Sequence, residues 1–282
     1  SVDGLTAPAA AFSATFKLVD RSDTPRFGDS APFSFDFVTV PEPTGAALGL
    51  VALGLAAMRR IVQRGATPAV LRLYDATEAD RTYRTGDRAL LLVLDEGDVG
   101  LVDATMEVVA EVGADGHRED DAHVAHWLEH RNDVAALEAL IGRGYVVDTM
   151  EVAGRWRDLP GIYGATIEAL RGVEGTVAAS AHQSHSYPDG GCLYFTFAGS
   201  VAAEDRDRYY RAVWDAGTAA VLRAGGALSH HHGVGLNRSR FVADALGPAF
   251  DVLVAAKAAL DPNGILNPGK LGLPSPFGDA GY

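Results

Sequence analysis

The chain has 282 residues, 48% apolar and 22% charged, enough to build one large packed domain or two small ones. Its formal charge of −13, from 37 acidic against 24 basic side chains, argues against nucleic acid as a partner, because phosphate binding draws on clustered Lys and Arg. A single cysteine, Cys192, rules out an intrachain disulfide and a cysteine-based zinc site, and fits a reducing cytoplasm.

Residues 1–43 are rich in Ser, Ala, Pro and Asp, and two alternating runs, Phe12–Val19 and Phe33–Val40, predict strands. This segment has no clear assignment; a remnant of a flavin domain and a foreign piece are both open. It lacks the basic-then-apolar order of a signal peptide, and with Ser1 in place of Met the chain is expected to be a fragment of a longer product. Residues 44–282 form the assignable domain. Pro41 and Pro43 punctuate the chain before an uncharged run, Thr44–Met58, that ends at Arg59-Arg60. That order resembles the PEP-CTERM sorting tail of some exported bacterial proteins, although such a tail belongs at a C-terminus. The run is shorter than the roughly 18–20 residues that span a bilayer, so a buried or half-buried helix is expected. The helix continues to Gln63, with Gly65 as its C-cap.

Val70–Tyr74 and Ala89–Asp95 predict strands, Val99–Val112 an amphipathic helix, and Ala122–Leu140 another helix. A strand over Tyr145–Glu151 and a helix over Leu159–Val173 follow. Thr176–His182 and Cys192–Phe197 predict a hairpin around Pro188-Asp189-Gly190-Gly191, and Ala203–Ala224 and Ala245–Ala259 predict helices. This order implies an α+β fold: a mostly antiparallel sheet covered by helices on one face.

Three runs carry candidate chemistry. The first is Ser229-His230-His231-His232-Gly233-Val234-Gly235, preceded by Gly225-Gly226. Consecutive imidazoles in a glycine-flanked segment suit the wall of a reaction site, where His titrates near neutral pH. If the segment is extended, His230 and His232 share one side and His231 takes the other. They would act as general bases or orient a polar substrate. A metal would need a third ligand such as His182 or His185, and no helical His-x-x-x-His or His-Glu-x-x-His spacing supports one, so none is expected. The second run is His182–Tyr187, a turn, and Cys192–Phe197. Period-2 alternation puts Leu193, Phe195 and Phe197 in the core, and Cys192, Tyr194 and Thr196 on a face that suits a cavity. The third is Asp261-Pro262-Asn263-Gly264-Ile265-Leu266-Asn267-Pro268-Gly269-Lys270-Leu271, two tight turns that expose Lys270 to an anionic group.

Together the first and third runs resemble the C-terminal half of FAD-linked oxidases of the vanillyl-alcohol oxidase superfamily, and within it the alkyldihydroxyacetonephosphate synthases and their bacterial relatives. The likeness extends through Leu71–Asp75, Trp127, Arg131, Asp148–Glu151, Trp156 and Ser184–Phe197, over about residues 54–272. It implies a ferredoxin-like cap, or substrate, domain and FAD as cofactor. It implies that Tyr194 stands near the flavin, that His231 or His232 is the base, and that Arg72, Arg131, His230 and His185 surround the substrate. Asn267 and Lys270 fall to the cofactor. The family arginine that binds the substrate's anionic head falls near Leu137, a departure that Arg131 would make good.

The reaction so implied exchanges an ester-linked acyl group for a fatty alcohol by way of a flavin adduct, on a small or lipid-like substrate. A D-2-hydroxyacid dehydrogenase or oxidase and a non-catalytic truncated or fused product are the alternatives. No Gly-rich pyrophosphate loop is present, since Gly233-Val234-Gly235 does not open a βαβ unit. The missing flavin-binding domain is therefore an expected partner, and little flavin binding is expected of this chain alone. Peripheral membrane association and a homodimer are compatible with the same reading.

Overall fold

A computed structural model describes residues 10–18, 33–39, 46–114, 117–119, 122–132 and 135–278. Its centre is one sheet, in the order β2 (Phe33–Thr39), β1 (Ala10–Leu18), β4 (Ala89–Asp95), β3 (Val70–Tyr74), β7 (Thr176–Ser186), β8 (Gly190–Gly199) and β6 (Val146–Arg155). From β4 to β6 every pairing is antiparallel. β1 pairs antiparallel with β2, and in parallel with β4 and with the two-residue β5 (His117–Arg118). The two N-terminal strands fall where alternation predicts them.

One face of the sheet carries the expected helical layer: α1 (Ala46–Gln63), α3 (Val99–Val112), α6 (Leu159–Arg171) and α7 (Arg206–Arg223). Their buried residues join Leu71, Leu73, Leu91, Val93, Phe195 and Phe197 in a single core. The uncharged run therefore becomes a core helix: Leu50, Val51, Leu55, Met58 and Ile61 are all buried. Among the described residues no helix is long and apolar enough to cross a membrane. Gly65, just past α1, has φ +91°, the left-handed conformation that glycine adopts without strain.

β4 is buried at all seven positions because it is covered twice. Ala89, Leu91 and Val93 meet the helical layer, while Leu90, Leu92 and Leu94 join Tyr74, Tyr83 and Trp127 in a second cluster on the far face. Two short helices, α2 (Ala76–Tyr83) and α4 (Ala122–His130), build that far cover. A strand apolar on both faces is a continuous run rather than an alternation. Over β7, β8 and β6 the far face instead carries polar side chains, and the candidate site lies there.

The helices differ from the sequence reading in three places. Ala122–Leu140 divides into α4 and α5 (Ala135–Gly142), with a turn at Arg131-Asn132. α2 was not expected; Asp75 caps it by accepting the Glu78 N–H at 2.8 Å, an Asp-x-x-Glu start that marks a helix in sequence. The helix expected over Ala245–Ala259 is broken at Gly247, which has φ +53°: after α8 (Gly235–Ser239), α9 (Val242–Leu246) ends there and α10 (Ala249–Leu260) begins beyond it.

The β7–β8 hairpin closes on Tyr187 N–H to Gly190 O at 2.8 Å, so Gly190 and Gly191 already belong to β8. A Cβ on Gly190 would lie 2.1 Å from the Gly154 carbonyl oxygen of β6. That atom is backbone and cannot rotate away. Gly190→Ala is expected to destabilise the domain by roughly 1–3 kcal/mol and to splay β8 from β6, read as a lower urea midpoint with m unchanged.

Candidate active site

Antiparallel register sets four side chains in one row across the far face. Glu151 of β6 pairs with Tyr194 of β8, Tyr194 with His182 of β7, and His182 with Tyr74 of β3. Alternation puts Leu193, Phe195 and Phe197 in the core opposite, as the sequence predicts. The His182 and Tyr194 rings are stacked, with centroids 4.9 Å apart and planes 9° from parallel.

The histidine triplet meets this row from above. Ala227 pairs with Ala153 of β6 in an isolated bridge, and the chain then bends through residues 228–232. Because the segment bends, the alternation expected for an extended strand fails, and all three imidazoles crowd one aromatic cluster. His231 Nε2 lies 3.0 Å from the Tyr194 hydroxyl, and His232 meets the Tyr194 ring edge-on at 5.5 Å. His230 reaches sideways, with its Nδ1 2.9 Å from His231 Nδ1 and its ring 5.2 Å from Tyr187. His185 completes the cluster, its Nδ1 3.3 Å from the Tyr194 hydroxyl. It has φ +50° and sits where the β7–β8 register shifts between Ser184 and Ser186. A bulge of this kind re-aims one side chain out of the strand's alternation.

Glu151 is the anchor beneath the triplet. Its carboxylate is fully buried, accepts from Ser229 Oγ at 2.6 Å and from His230 N–H at 2.8 Å, and lies 3.6 Å from His231 Nδ1. Burial alone would raise its pKa, but the donors from Ser229, His230 and His232 outweigh that and hold it below the usual carboxylate range. The buried Arg238 of α8 donates to Gly233 O and to the Glu151 carbonyl, both at 2.8 Å, and so ties the far end of the triplet to β6. Burial lowers the pKa of His185 and of His232, favouring neutral rings, and raises that of Tyr194, favouring a phenol that donates. The site therefore holds a hydrogen-bond donor beside imidazoles able to accept a proton.

Glu151, Cys192, His230 and His231 bring potential ligand atoms within 4.8 Å of one another, a different set from the His182 or His185 additions considered in the sequence. Internal bonds already engage it. Both carboxylate oxygens accept, the two imidazoles face each other, and burial pushes the Cys192 thiol up to about 12, so it is a thiol and not a thiolate at neutral pH.

Beside the cluster opens a cleft of about 420 Å³, lined by Arg72, Trp127, Arg131, His185, Tyr187 and Thr67 among others. The Arg72 guanidinium lies 5.7 Å from the Trp127 ring centroid and that of Arg131 5.3 Å from it. Arg72 Nε is buried and, among the described residues, has no hydrogen-bond partner. Among the described residues no carboxylate lines this cleft, in a chain of net charge −13. Arg131 thus joins Arg72 in one space, while Leu137 stands exposed on α5.

Asn267 and Lys270 are exposed in the turns after α10. A Cβ on Gly272 would lie 2.6 Å from Ser239 O, so this ending packs closely on α8. Sequence reasoning missed Glu151, Glu78 and Arg238. For Glu151 the signal was an acid in alternation with Met150 and Val152. His126 and His130, four apart on α4, were also passed over; their rings stack at 4.3 Å, and His130 Nδ1 bonds the His126 carbonyl.

These features define an α+β domain whose open sheet face joins an imidazole–phenol cluster to a cationic cleft. The family described as FAD linked oxidases, C-terminal domain, matches residues 45–271, and the chain belongs to it. FAD is the cofactor of that family. "Uncharacterized FAD-linked oxidoreductase YgcU" of Escherichia coli O157:H7 is 29% identical over 236 residues, covering 77% of this chain and 49% of the relative. Alkyldihydroxyacetonephosphate synthase of Trypanosoma brucei brucei is 31% identical over 156 residues, covering 53% of this chain and 25% of the relative. A solved structure of alkyldihydroxyacetonephosphate synthase shares the fold, with TM-score 0.50 and 19% identity over 77% of this chain and 42% of that one. The chain spans about half the length of the YgcU relatives it matches.

Proposed function

We propose that this domain binds the substrate of an FAD-dependent enzyme, holds its anionic head with Arg72 and Arg131, and removes a proton beside a carbonyl with His231 or His232. The cleft carries this reading: among the described residues two guanidiniums and no carboxylate line it, and His185, which also lines it, reaches the Tyr194 hydroxyl that meets His231. Guanidiniums recognise carboxylate and phosphate through paired donors. Relatives named alkyldihydroxyacetonephosphate synthase favour a phosphorylated acyl substrate and the exchange of its acyl group for a fatty alcohol.

The chain's own residues supply orientation and proton handling. The phenol of Tyr194 donates to developing negative charge. Glu151 fixes the triplet and lies 3.6 Å from the Nδ1 of His231. FAD, when bound, supplies an electron-accepting ring beside the substrate. The exposed imidazoles fit such a neighbour, and Asn267 and Lys270 would hold the cofactor's anionic part. Val252, Leu260, Ile265, Leu266 and Phe277 expose apolar side chains on α10 and the turns after it, and a flavin-binding domain docked there would cover them. A cytoplasmic setting, peripheral contact with lipid and a homodimer belong to the same proposal.

The test joins the chain to a flavin-binding domain and follows incorporation of labelled fatty alcohol. His231→Ala or His232→Ala is expected to lower kcat by roughly 10²–10⁴-fold, the range for a general base. A base must be neutral to act, and the His232 pKa lies below 6.5, so activity served by His232 falls only below that pH. Full activity in both variants overturns the proton-transfer role. Flavin bleaching by 2-hydroxyacids without alcohol incorporation selects the dehydrogenase alternative.

A further inference from the structure

His182 and Glu78 form a second imidazole–carboxylate pair that proton transfer does not use. His182 Nδ1 lies 2.8 Å from Glu78 Oε1, and Ser180 Oγ donates to Glu78 Oε2 at 3.4 Å. Glu78 is buried in the first turn of α2. That turn is fixed in its own right: Asp75 caps it and also accepts Ala181 N–H at 2.7 Å and the Tyr163 hydroxyl at 3.1 Å. Strand β7 and helix α6 thus hold α2 in place, and α2 holds Glu78. The carboxylate in turn sets the plane of His182, whose other neighbours are Tyr74 at 5.5 Å and Tyr194, stacked at 4.9 Å. Neither Glu78 nor His182 lines the cationic cleft.

A tyrosine hydroxyl oxygen lies on the Cβ–Cγ axis, so turning the ring about that axis leaves it in place and only a swing of the axis moves it. A stacked partner that is itself held blocks that swing toward its own side. We propose that Glu78 and His182 are a positioning pair that holds the Tyr194 ring, and so sets its hydroxyl between His231 Nε2 at 3.0 Å and His185 Nδ1 at 3.3 Å. The inference rests on the reading above in one respect, that Tyr194 acts at the reacting centre.

Three variants separate stacking from simple attachment of α2 to β7. His182→Phe keeps a ring and loses the bond to Glu78. His182→Gln keeps a polar partner for Glu78 and loses the ring. Glu78→Gln keeps His182 and loses the charge. In ¹³C-tyrosine-labelled protein, the Tyr194 ring resonance, identified by its loss in Tyr194→Phe, carries a ring-current shift from His182. That shift is expected to persist in His182→Phe, to disappear in His182→Gln and to broaden in Glu78→Gln. In the flavin-loaded enzyme, kcat is expected to fall roughly tenfold to a hundredfold in His182→Gln, with KM held, and to be largely restored in His182→Phe.

A Tyr194 resonance unmoved in His182→Gln overturns the proposal, as does an equal loss of kcat in His182→Phe and His182→Gln. Should His182→Gln fail to fold, His182→Phe and Glu78→Gln decide it: a normal Tyr194 signal in both, with kcat lost in His182→Phe, overturns it. If the resonances behave as expected but Tyr194→Phe keeps full activity, the positioning stands and the catalytic role of Tyr194 falls.

Discussion

Glu151→Ala is expected to free the histidine triplet from the sheet and to cost the domain about 3–5 kcal/mol, read as a large fall in urea midpoint. The carboxylate accepts from both the Ser229 hydroxyl and the His230 N–H, and it compensates the buried Arg238 guanidinium. Removing it leaves a hydroxyl, an amide and a cation in a poorly solvated space, and an unpaired buried group costs more than a pair contributes. Glu151→Gln separates the two roles. Its amide oxygen can still accept from His230 N–H and its NH₂ can donate to Ser229 Oγ, so the fold is expected to lose only about 1 kcal/mol. The charge opposite His231 is nevertheless gone, and kcat is expected to fall well beyond what that small loss of stability explains. The pH dependence carries a sign. The folded pKa of Glu151 lies below its ordinary 4.5, so its share of stability is complete above that pH and fades as pH falls further. The gap between wild type and Glu151→Ala therefore narrows on acidification below 4.5. An alanine variant with the wild-type midpoint at pH 7 removes Glu151 from its place as anchor.

What one strand shows by itself was legible. Alternation in Leu193–Phe197 assigned Tyr194 to the far face, and the scarcity of consecutive imidazoles singled out His230–His232. Register was not legible, because it depends on how several strands align. That Glu151, Tyr194, His182 and Tyr74 form one row follows from pairings between β6, β8, β7 and β3, which join segments more than a hundred residues apart in the case of β3 and β7. Glu151 alone in its strand looks like a polar position at a sheet edge; only the triplet folded over it makes it an anchor. Helix α2 escaped because its apolar content is low and its signal lies in the cap, Asp75 and Glu78, not in a periodic stripe. The parallel pairing of β1 with β4 is a long-range choice that neither strand's composition expresses.

Arg72→Met is expected to weaken anion binding by roughly 10- to 150-fold while changing the ligand-free stability by less than about 1 kcal/mol. The two effects differ because Arg72 stands at odds with its surroundings. Its Nε is buried and, among the described residues, has no partner, which costs stability; its guanidinium lies 5.6 Å from the Tyr74 centroid and 5.7 Å from that of Trp127, which returns some. Methionine keeps an unbranched stem against both rings and removes the orphaned donor, so loss and gain nearly cancel. Binding has no such offset, since an anionic head loses a charge-assisted partner outright. Arg72→Lys restores the charge without the planar fork and should recover part of the affinity. Arg131 shares the Trp127 ring from a more exposed turn, so Arg131→Met should cost less by itself. The double variant should show coupling, because both guanidiniums would hold one ligand. Titration calorimetry with glycerol 3-phosphate and with lactate measures each term and separates phosphate from carboxylate recognition. If Arg72→Met binds both as tightly as wild type does, the cleft is not the seat of the anionic head, and the buried nitrogen must be explained by packing alone.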